Sequence, residues 1–337
     1  MFVEPVGVKL NIVVICGGFS TEREVSLASG SAVASALKEA GHEVSIADPL
    51  LGGEQQPPGS EQYKTKPGRK PPELEETNQA KAIEMLSSPQ IKEAELAFLA
   101  LHGTFGEDGT IQALLDSVGL KYTGSNVLAS ALAMDKDVSK KLFKEAGIPV
   151  LEWTMVRDGQ VFHSNTDMDF PMIVKPNDQG STVGFSIVNS SEELDEAAAK
   201  AAKYSSHVMV EKYVDGRELT VTILDKQSLP IIEIKPKSKV YNYESKYTPG
   251  TTEYICPADL PEQLEVGIQL AALKAFNALG CRHYARADFL LDTDNRFYCL
   301  ELNTLPGMTE TSLVPKAAKA VGMSFQDLVE KIVELAS

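Results

Sequence analysis

Apolar and polar positions change rhythm twice along this chain. Lys9 to Cys16 is a β-branched, apolar run that predicts a buried strand, and Gly17-Gly18-Phe19-Ser20 predicts a tight turn after it. Thr21 to Ala40 then has helical periodicity, with Thr21 and Glu24 spaced as a capping box, and Glu43 to Ala47 predicts a second strand. Further on, Leu74 to Leu86 predicts a helix, Leu96 to Leu101 a strand ending at His102-Gly103, Thr110 to Val118 a helix, and Lys121 to Gly124 a short strand and turn. Such alternation is the signature of a parallel α/β sheet, which binds ligands at the carboxyl ends of its strands. Gly17-Gly18 and His102-Gly103 both stand at such ends.

After a helix from Lys136 to Ala146 the pattern turns to short Val-, Ile- and Thr-rich strands. These fall at Met172 to Lys175, Phe185 to Val188, Val208 to Tyr213 and Leu219 to Leu224, with one helix from Glu192 to Lys203. The last third predicts a strand from Ile231 to Lys235, a polar loop from about Pro236 to Cys256, a helix from Pro261 to Leu279, two strands around residues 286–303, and a helix from Ser324. Gly52 to Pro72, rich in Gly, Pro, Gln and Lys, reads as a surface loop with no packed element. The expected organisation is an N-terminal α/β unit over 1–135 and two α+β units over 136–218 and 219–337.

Composition narrows the choice. The chain has 337 residues, 43% of them hydrophobic, enough for two or three cores. A net charge of −15 gives no basic footprint for nucleic acid. Cys16, Cys256, Cys281 and Cys299 have no CxxC spacing, which fits a reducing cytoplasm rather than a zinc or redox site. The N-terminus lacks the basic start and long apolar run of a signal peptide, and no segment reaches the roughly 20 apolar residues of a membrane span.

The strongest chemical signal lies near the C-terminus. Alternation along a strand places Arg286, Asp288 and Leu290 on one face, and Phe297, Cys299, Glu301 and Asn303 on one face of the next strand. Asp292 to Arg296 is then the hairpin turn, and Tyr298, Leu300 and Leu302 form an apolar reverse side. Glu301 and Asn303 thus project together beside Asp288. Neighbouring carboxylates in a dry site need compensation, either by a hard cation with oxygen ligands such as magnesium or by an ion pair with Arg286. The pattern leaves both open. Gly307 lets a backbone N–H approach a ligand, and with Arg286 it could form an oxyanion hole.

Other signals are weaker singly. Gln179 to Gly184 is a Gly-flanked Ser/Thr loop able to wrap phosphates, although such loops more often mark hairpins. It is not a P-loop, and Gly17-Gly18 does not complete GxGxxG. Lys136 opens a helix and Lys175 ends an apolar strand, where either could meet an anion. Glu211 and Glu218 could accept from an adenine amino group or ribose hydroxyls, or be ordinary surface charges.

Taken together and in order, the motifs are Gly17-Gly18, Glu22-Arg23-Glu24-Val25-Ser26, Leu101-His102-Gly103 with Glu107-Asp108-Gly109-Thr110, Ala133-Met134-Asp135-Lys136, Val174-Lys175-Pro176, Gly180-Ser181-Thr182-Val183-Gly184, Glu211-Lys212-Tyr213-Val214 with Gly216 and Glu218, Tyr243-Glu244-Ser245-Lys246-Tyr247, Arg286 with Asp288, Glu301 with Asn303 and Gly307, and Ser312-Leu313-Val314-Pro315. In that order and spacing the chain resembles the D-alanine–D-alanine ligases of the ATP-grasp superfamily from about Lys9 to its end. The resemblance implies a three-domain ATP-grasp fold, a parallel α/β domain and two α+β domains clamping ATP. It also implies ligation of two D-alanines through an acyl phosphate for peptidoglycan synthesis, in a cytoplasmic homodimer without nucleic-acid or membrane partners.

The resemblance further implies residue roles. Lys136, Lys175 and Lys246 would contact phosphates; Glu211, Tyr213, Val214 and Leu290 would surround adenine, and Glu218 would meet the ribose. Asp288, Glu301 and Asn303 would hold two magnesium ions, with manganese as a substitute. Glu22 would bind the first ammonium and link through Ser181 to Tyr247, with Val25 and His102 beside the first substrate. Lys246, Ser312 and Leu313 would receive the second substrate, and Arg286 and the Gly307 N–H would face the oxyanion. Residues 236–256 would form a lid. Tyr213 stands where the family often has Trp, and the 52–72 loop is longer and richer in proline than expected. Lys246-Tyr247 favours an amine over a D-lactate acceptor. The alternatives are an ATP-grasp ligase with another acceptor, or a nucleotide-binding module without catalysis; the latter should have lost Arg286 or the metal ligands, and they are present.

Overall fold

A computed structural model of the chain describes residues 9–55, 57, 59–63, 79–156, 168–237, 248 and 250–337. Lys246, Tyr247 and most of the 236–256 loop lie outside the described residues, as do residues 64–78 and 157–167.

The first sheet is parallel, in the order β2-β1-β3-β4, with β1 (Asn11–Ile15), β2 (Glu43–Ala47), β3 (Leu96–Leu99) and β4 (Lys121–Tyr122). The apolar side chains of β1 and β3 are buried, as a sheet covered on both faces requires. Helix α1 (Arg23–Glu39) packs on it so closely at Gly30 that a Cβ there would stand 2.4 Å from the Cys16 Cβ. The predicted capping box does not form: the helix starts at Arg23, with Glu22 as N-cap and no side-chain capping bond. Helices α2 (Gln79–Leu86), α3 (Pro89–Lys92) and α4 (Thr110–Ser117) complete the connections. The 52–72 segment is not merely a surface loop, because a 3-10 turn at Glu61–Tyr63 buries Tyr63 in the first core.

Helices α5 (Val127–Met134) and α6 (Lys136–Glu145) lead to an antiparallel sheet, order β5-β8-β6-β7, of β5 (Trp153–Val156), β6 (Met172–Pro176), β7 (Ser186–Val188) and β8 (Val208–Lys212), covered by α7 (Ser191–Ala201). The third sheet runs β12-β11-β9-β13-β14, with β10 on the edge of β9. Its strands are β9 (Gly216–Leu224), β10 (Gln227–Ser228), β11 (Ile232–Pro236), β12 (Thr252–Ile255), β13 (Tyr284–Asp292) and β14 (Phe297–Asn303). Helix α8 (Glu262–Ala278) covers one face. β12 corrects the reading of Pro236 to Cys256 as loop throughout, since it pairs with β11. The last two helices, α9 (Leu313–Ala320) and α10 (Phe325–Ala336), return to the first core, where Val314, Ala317, Leu328 and Ile332 pack with β1 and α1. No helix among the described residues is long and apolar enough to cross a membrane.

One joint fixes α6 against the second sheet. Glu211 of β8 is 1% exposed and ion-paired on one oxygen with Lys140 of α6, which is fully buried. Its other oxygen accepts from the Lys175 Nζ of β6 at 2.6 Å. Burial pushes the Glu211 carboxyl up, but the Lys140 and Lys175 ammoniums outweigh it and hold the group down at about 2.

Two outcomes follow for stability. Gly30→Ala should cost about 1–3 kcal/mol in urea denaturation despite alanine's better helix propensity, because the new methyl meets Cys16; an unchanged midpoint would contradict that packing. Glu211 has a depressed folded pKa, so its contribution is present above the ordinary 4.5 and lost as pH falls toward 2. That contribution is worth up to about 3 kcal/mol, and Glu211→Gln should flatten the acid limb of the stability curve between those values.

Candidate active site

A cleft floored by β13 and β14 is walled by β6, β7 and β8 of the second sheet. Asp288 and Glu301 stand directly opposite each other, and so do Arg286 and Asn303. A bulge follows: Phe289 pairs with Cys299, leaving Leu300 without a partner. The extra residue turns Cys299 into the core with Phe289 and Leu302, while Leu300 lines the cleft beside Glu301. The expected shared face of Phe297, Cys299, Glu301 and Asn303 is therefore split at residue 300, and the reverse side loses Leu300.

Each floor carboxylate has its own counter-ion. Arg286 grips Asp288 in a two-pronged pair, Nε to Oδ1 at 2.9 Å and Nη2 to Oδ2 at 2.7 Å. Asp288 also accepts from the Thr220 hydroxyl of β9 at 2.6 Å and from the Asn303 amide N–H at 3.0 Å. Lys136, the first residue of α6, places Nζ 3.2 Å from Glu301 and donates to the Gln179 carbonyl at 2.8 Å. Among the described residues no three His, Cys, Asp or Glu side chains cluster into a self-sufficient metal site. The donors present are two carboxylates and an amide on paired strands. That set suits magnesium, which keeps coordination places for substrate phosphate oxygens. Of the two alternatives posed from the sequence, the Arg286–Asp288 pair is the one present, and Asp288 would have to release one of its four donors to take a metal.

The Gly180 loop, between β6 and β7, forms one wall. Ser181 and Thr182 adopt left-handed φ values of 49° and 61°, a costly conformation for residues with side chains. Gly184 is at 70°, and a Cβ there would come within 2.9 Å of Pro176. Lys175, Tyr213, Val214, Glu218 and Leu290 line the same cleft, with Ile173, Phe185, Ile187 and Leu219 as apolar surface. Glu211 also reaches the wall, with both oxygens engaged by Lys140 and Lys175. The sequence reading passed over Lys140, although its i+4 spacing from Lys136 puts both on one face of α6.

The first unit closes the other end. Glu22, before α1, accepts a hydrogen bond from Ser181 across 159 residues of sequence. A Cβ on Gly180 would stand 2.7 Å from Glu22 Oε2, so glycine is what permits this approach. Val25 is buried in the first turn of α1. His102 sits between Ser29, at 3.1 Å from Nε2, and the Leu305 carbonyl, at 2.8 Å from Nδ1. Burial pushes its pKa down, and the carbonyl partner assigns the proton to Nδ1. Glu107 accepts from the backbone N–H of Gly103 at 2.8 Å and Leu305 at 3.2 Å. Burial and the nearby Glu22 charge push its carboxyl up to about 8. Glu107 was legible only as part of a motif, with no role attached. Gly307 follows β14 in the same loop, where a Cβ would meet Ser312 Oγ at 3.0 Å, and Leu313 borders the cleft. Ser312 Oγ accepts from the Thr309 N–H at 3.1 Å. Of the predicted site residues, Lys136, Lys175, Ser181, Glu211, Tyr213, Val214, Glu218, Arg286, Asp288, Leu290, Glu301 and Leu313 line one cleft. Glu22 and Asn303 reach it through Ser181 and Asp288, Val25, His102, Gly307 and Ser312 are not among its lining residues, and Lys246 and Tyr247 lie outside the described residues.

Comparison with known proteins agrees with this geometry. Residues 11–125 match the family model described as D-ala D-ala ligase N-terminus, and residues 142–334 match D-ala D-ala ligase C-terminus. A D-alanine–D-alanine ligase of Syntrophotalea carbinolica is 47% identical over 326 residues, covering 97% of this chain and 96% of that protein. The Geobacter sulfurreducens D-alanine–D-alanine ligase is 41% identical, covering 95% and 92%. The crystal structure of the Bacillus anthracis D-alanine–D-alanine ligase complexed with ATP superposes with a TM-score of 0.77 at 32% identity, covering 97% of each chain. With both family models matched in order along the chain, the protein belongs to the D-alanine–D-alanine ligase family.

Proposed function

We propose that this chain joins two D-alanines into D-alanyl-D-alanine, cleaving ATP to ADP and phosphate, as a step in peptidoglycan precursor synthesis. The observation that carries the reading is the convergence of Asp288, Glu301, Asn303, Lys136, Arg286 and the Gly180 loop on one cleft whose far end holds Glu22. The reading divides the chain into units 1–135, 136–218 and 219–337.

The chemistry follows from charge. Adenine would lie against Tyr213, Leu290 and the Val214 backbone, beside Glu211, with its ribose at Glu218. Lys136, Lys175 and Lys246 would hold the phosphates. Asp288, Glu301 and Asn303 would hold two magnesium ions (or manganese), which supply charge compensation to the phosphates when bound. Glu22 would fix the ammonium of the first D-alanine, with Val25 and His102 beside it. Its carboxylate oxygen attacks the γ-phosphorus, ADP leaves, and an acyl phosphate is formed. The second D-alanine would be held through its carboxylate by Lys246, Ser312 and Leu313. Its amine, once deprotonated, attacks the acyl carbon. Arg286, already oriented by Asp288, and the Gly307 N–H would meet the developing oxyanion. Expulsion of phosphate leaves the peptide. The chain Glu22–Ser181–Tyr247 would link the first unit to a lid over 236–256 and keep water from the acyl phosphate.

In this reading the protein is a cytoplasmic homodimer with no nucleic-acid or membrane partner. Its charge of −15 and its cysteines without CxxC spacing support that placement.

ADP and phosphate release with D-alanine and ATP, coupled to identification of the dipeptide, tests the whole reading; nucleotide turnover without dipeptide would overturn it. Arg286→Ala should lower turnover by about 10²–10³ while ADP binding survives, and a near-normal rate would remove Arg286 from the oxyanion role. Chelation by EDTA should abolish turnover, and magnesium or manganese should restore it; full activity in excess chelator would refute the role given to Asp288 and Glu301. An equimolar D-lactate and D-alanine mixture should yield dipeptide and no ester.

A further inference from the structure

Glu211 has more positive charge around it than a single carboxylate requires. Lys175 and Lys140 both pair with it, so the group carries one excess positive charge. The two lysines differ in access. Lys175 lines the cleft, with its side chain 15% exposed. Lys140 has no exposed side-chain surface, lies behind Glu211 and does not reach the cleft. The Trp153 ring backs it, 5.5 Å from Nζ to the ring centroid.

That asymmetry matters once a polyanion arrives. Lys175 already gives one of its three N–H donors to Glu211 at 2.6 Å, so a bound phosphate would draw its charge away from that carboxylate. A buried carboxylate stripped of its only cation is strongly disfavoured. With Lys140 in place, Glu211 keeps a partner throughout. We propose that Lys140 is a positioning residue for nucleotide binding, the standing counter-ion of Glu211 that frees Lys175 to turn from that carboxylate to the phosphates. The inference rests on reading the cleft as the ATP site. It assigns Lys140 no contact with substrate, and it places Lys136 and Lys140 of α6 in different tasks: Lys136 toward Glu301 and the Gly180 loop, Lys140 toward Glu211.

The test is a double-mutant cycle on the full chain, with ADP affinity measured by calorimetry and steady-state kinetics on ATP. Lys140→Met keeps the length of the side chain and removes its charge, so Lys175 should stay on Glu211. ADP affinity should fall, and KM for ATP rise, by about tenfold or more, with kcat at saturating ATP within about threefold of wild type. In a Glu211→Gln background there is no buried charge to compensate, so the same Lys140→Met change should alter ADP affinity by less than about threefold. Lys140→Arg, which retains the charge, should restore binding, and it keeps the test open if the methionine variant folds poorly. Equal ADP binding by wild type and Lys140→Met would overturn the inference. So would an equal loss in both backgrounds, or a fall in kcat with KM unchanged, since each is the mark of a merely structural lysine. Wild-type protein that binds no ADP would instead overturn the nucleotide reading on which the inference stands.

Discussion

Two carboxylates face each other across adjacent strands, Asp288 and Glu301, and the cleft gives each its own cation in a chain that is acidic overall. Like charges at that separation need compensation. The fold supplies it locally and separately: Arg286 from the same strand for Asp288, Lys136 from the start of α6 for Glu301. Glu211, deeper in the second unit, is treated the same way with Lys140 and Lys175. The result is a set of oxygen donors and cations interleaved along one wall.

Placement of this wall depends on cores that lie far apart in sequence. Helix α6 delivers Lys136 and Lys140 on one face, and its position is set by packing with α5, α8 and the third sheet. The N-terminal sheet presents Glu22 and His102 at its strand ends, and α9 and α10 pack back on that same core from the end of the chain. The loop bearing Gly307 is held between them: Leu305 accepts from His102 and donates to Glu107, while the Met308 N–H donates to Ser29 at 3.2 Å. The Glu22–Ser181 bond then joins the segment before α1 to the Gly180 loop between β6 and β7.

Much of this was legible from the order of residues. β1, β2, β13 and β14 stand out because β-branched runs and period-two alternation mark strands directly. α5 escaped because Val127–Met134 is apolar almost all round and carries no helical stripe to detect. β12 escaped because Thr252–Ile255 is an edge strand of mixed polarity beside a long polar segment. Leu300 could not be placed, because a bulge is a property of the pairing between two strands and leaves no mark on either one alone. Lys140 and Glu107 were hidden for another reason. A buried charge looks like a surface charge in a sequence until its partner, 71 residues away for Glu211, is known to lie beside it.

The cleft, in the proposed function, activates a carboxylate by phosphoryl transfer. The most direct measurement is the fate of oxygen from D-alanine labelled with 18O in its carboxylate, followed by mass spectrometry of the inorganic phosphate released. Attack of that carboxylate on the γ-phosphorus predicts one 18O in each phosphate. Dipeptide formed together with unlabelled phosphate would contradict the claim.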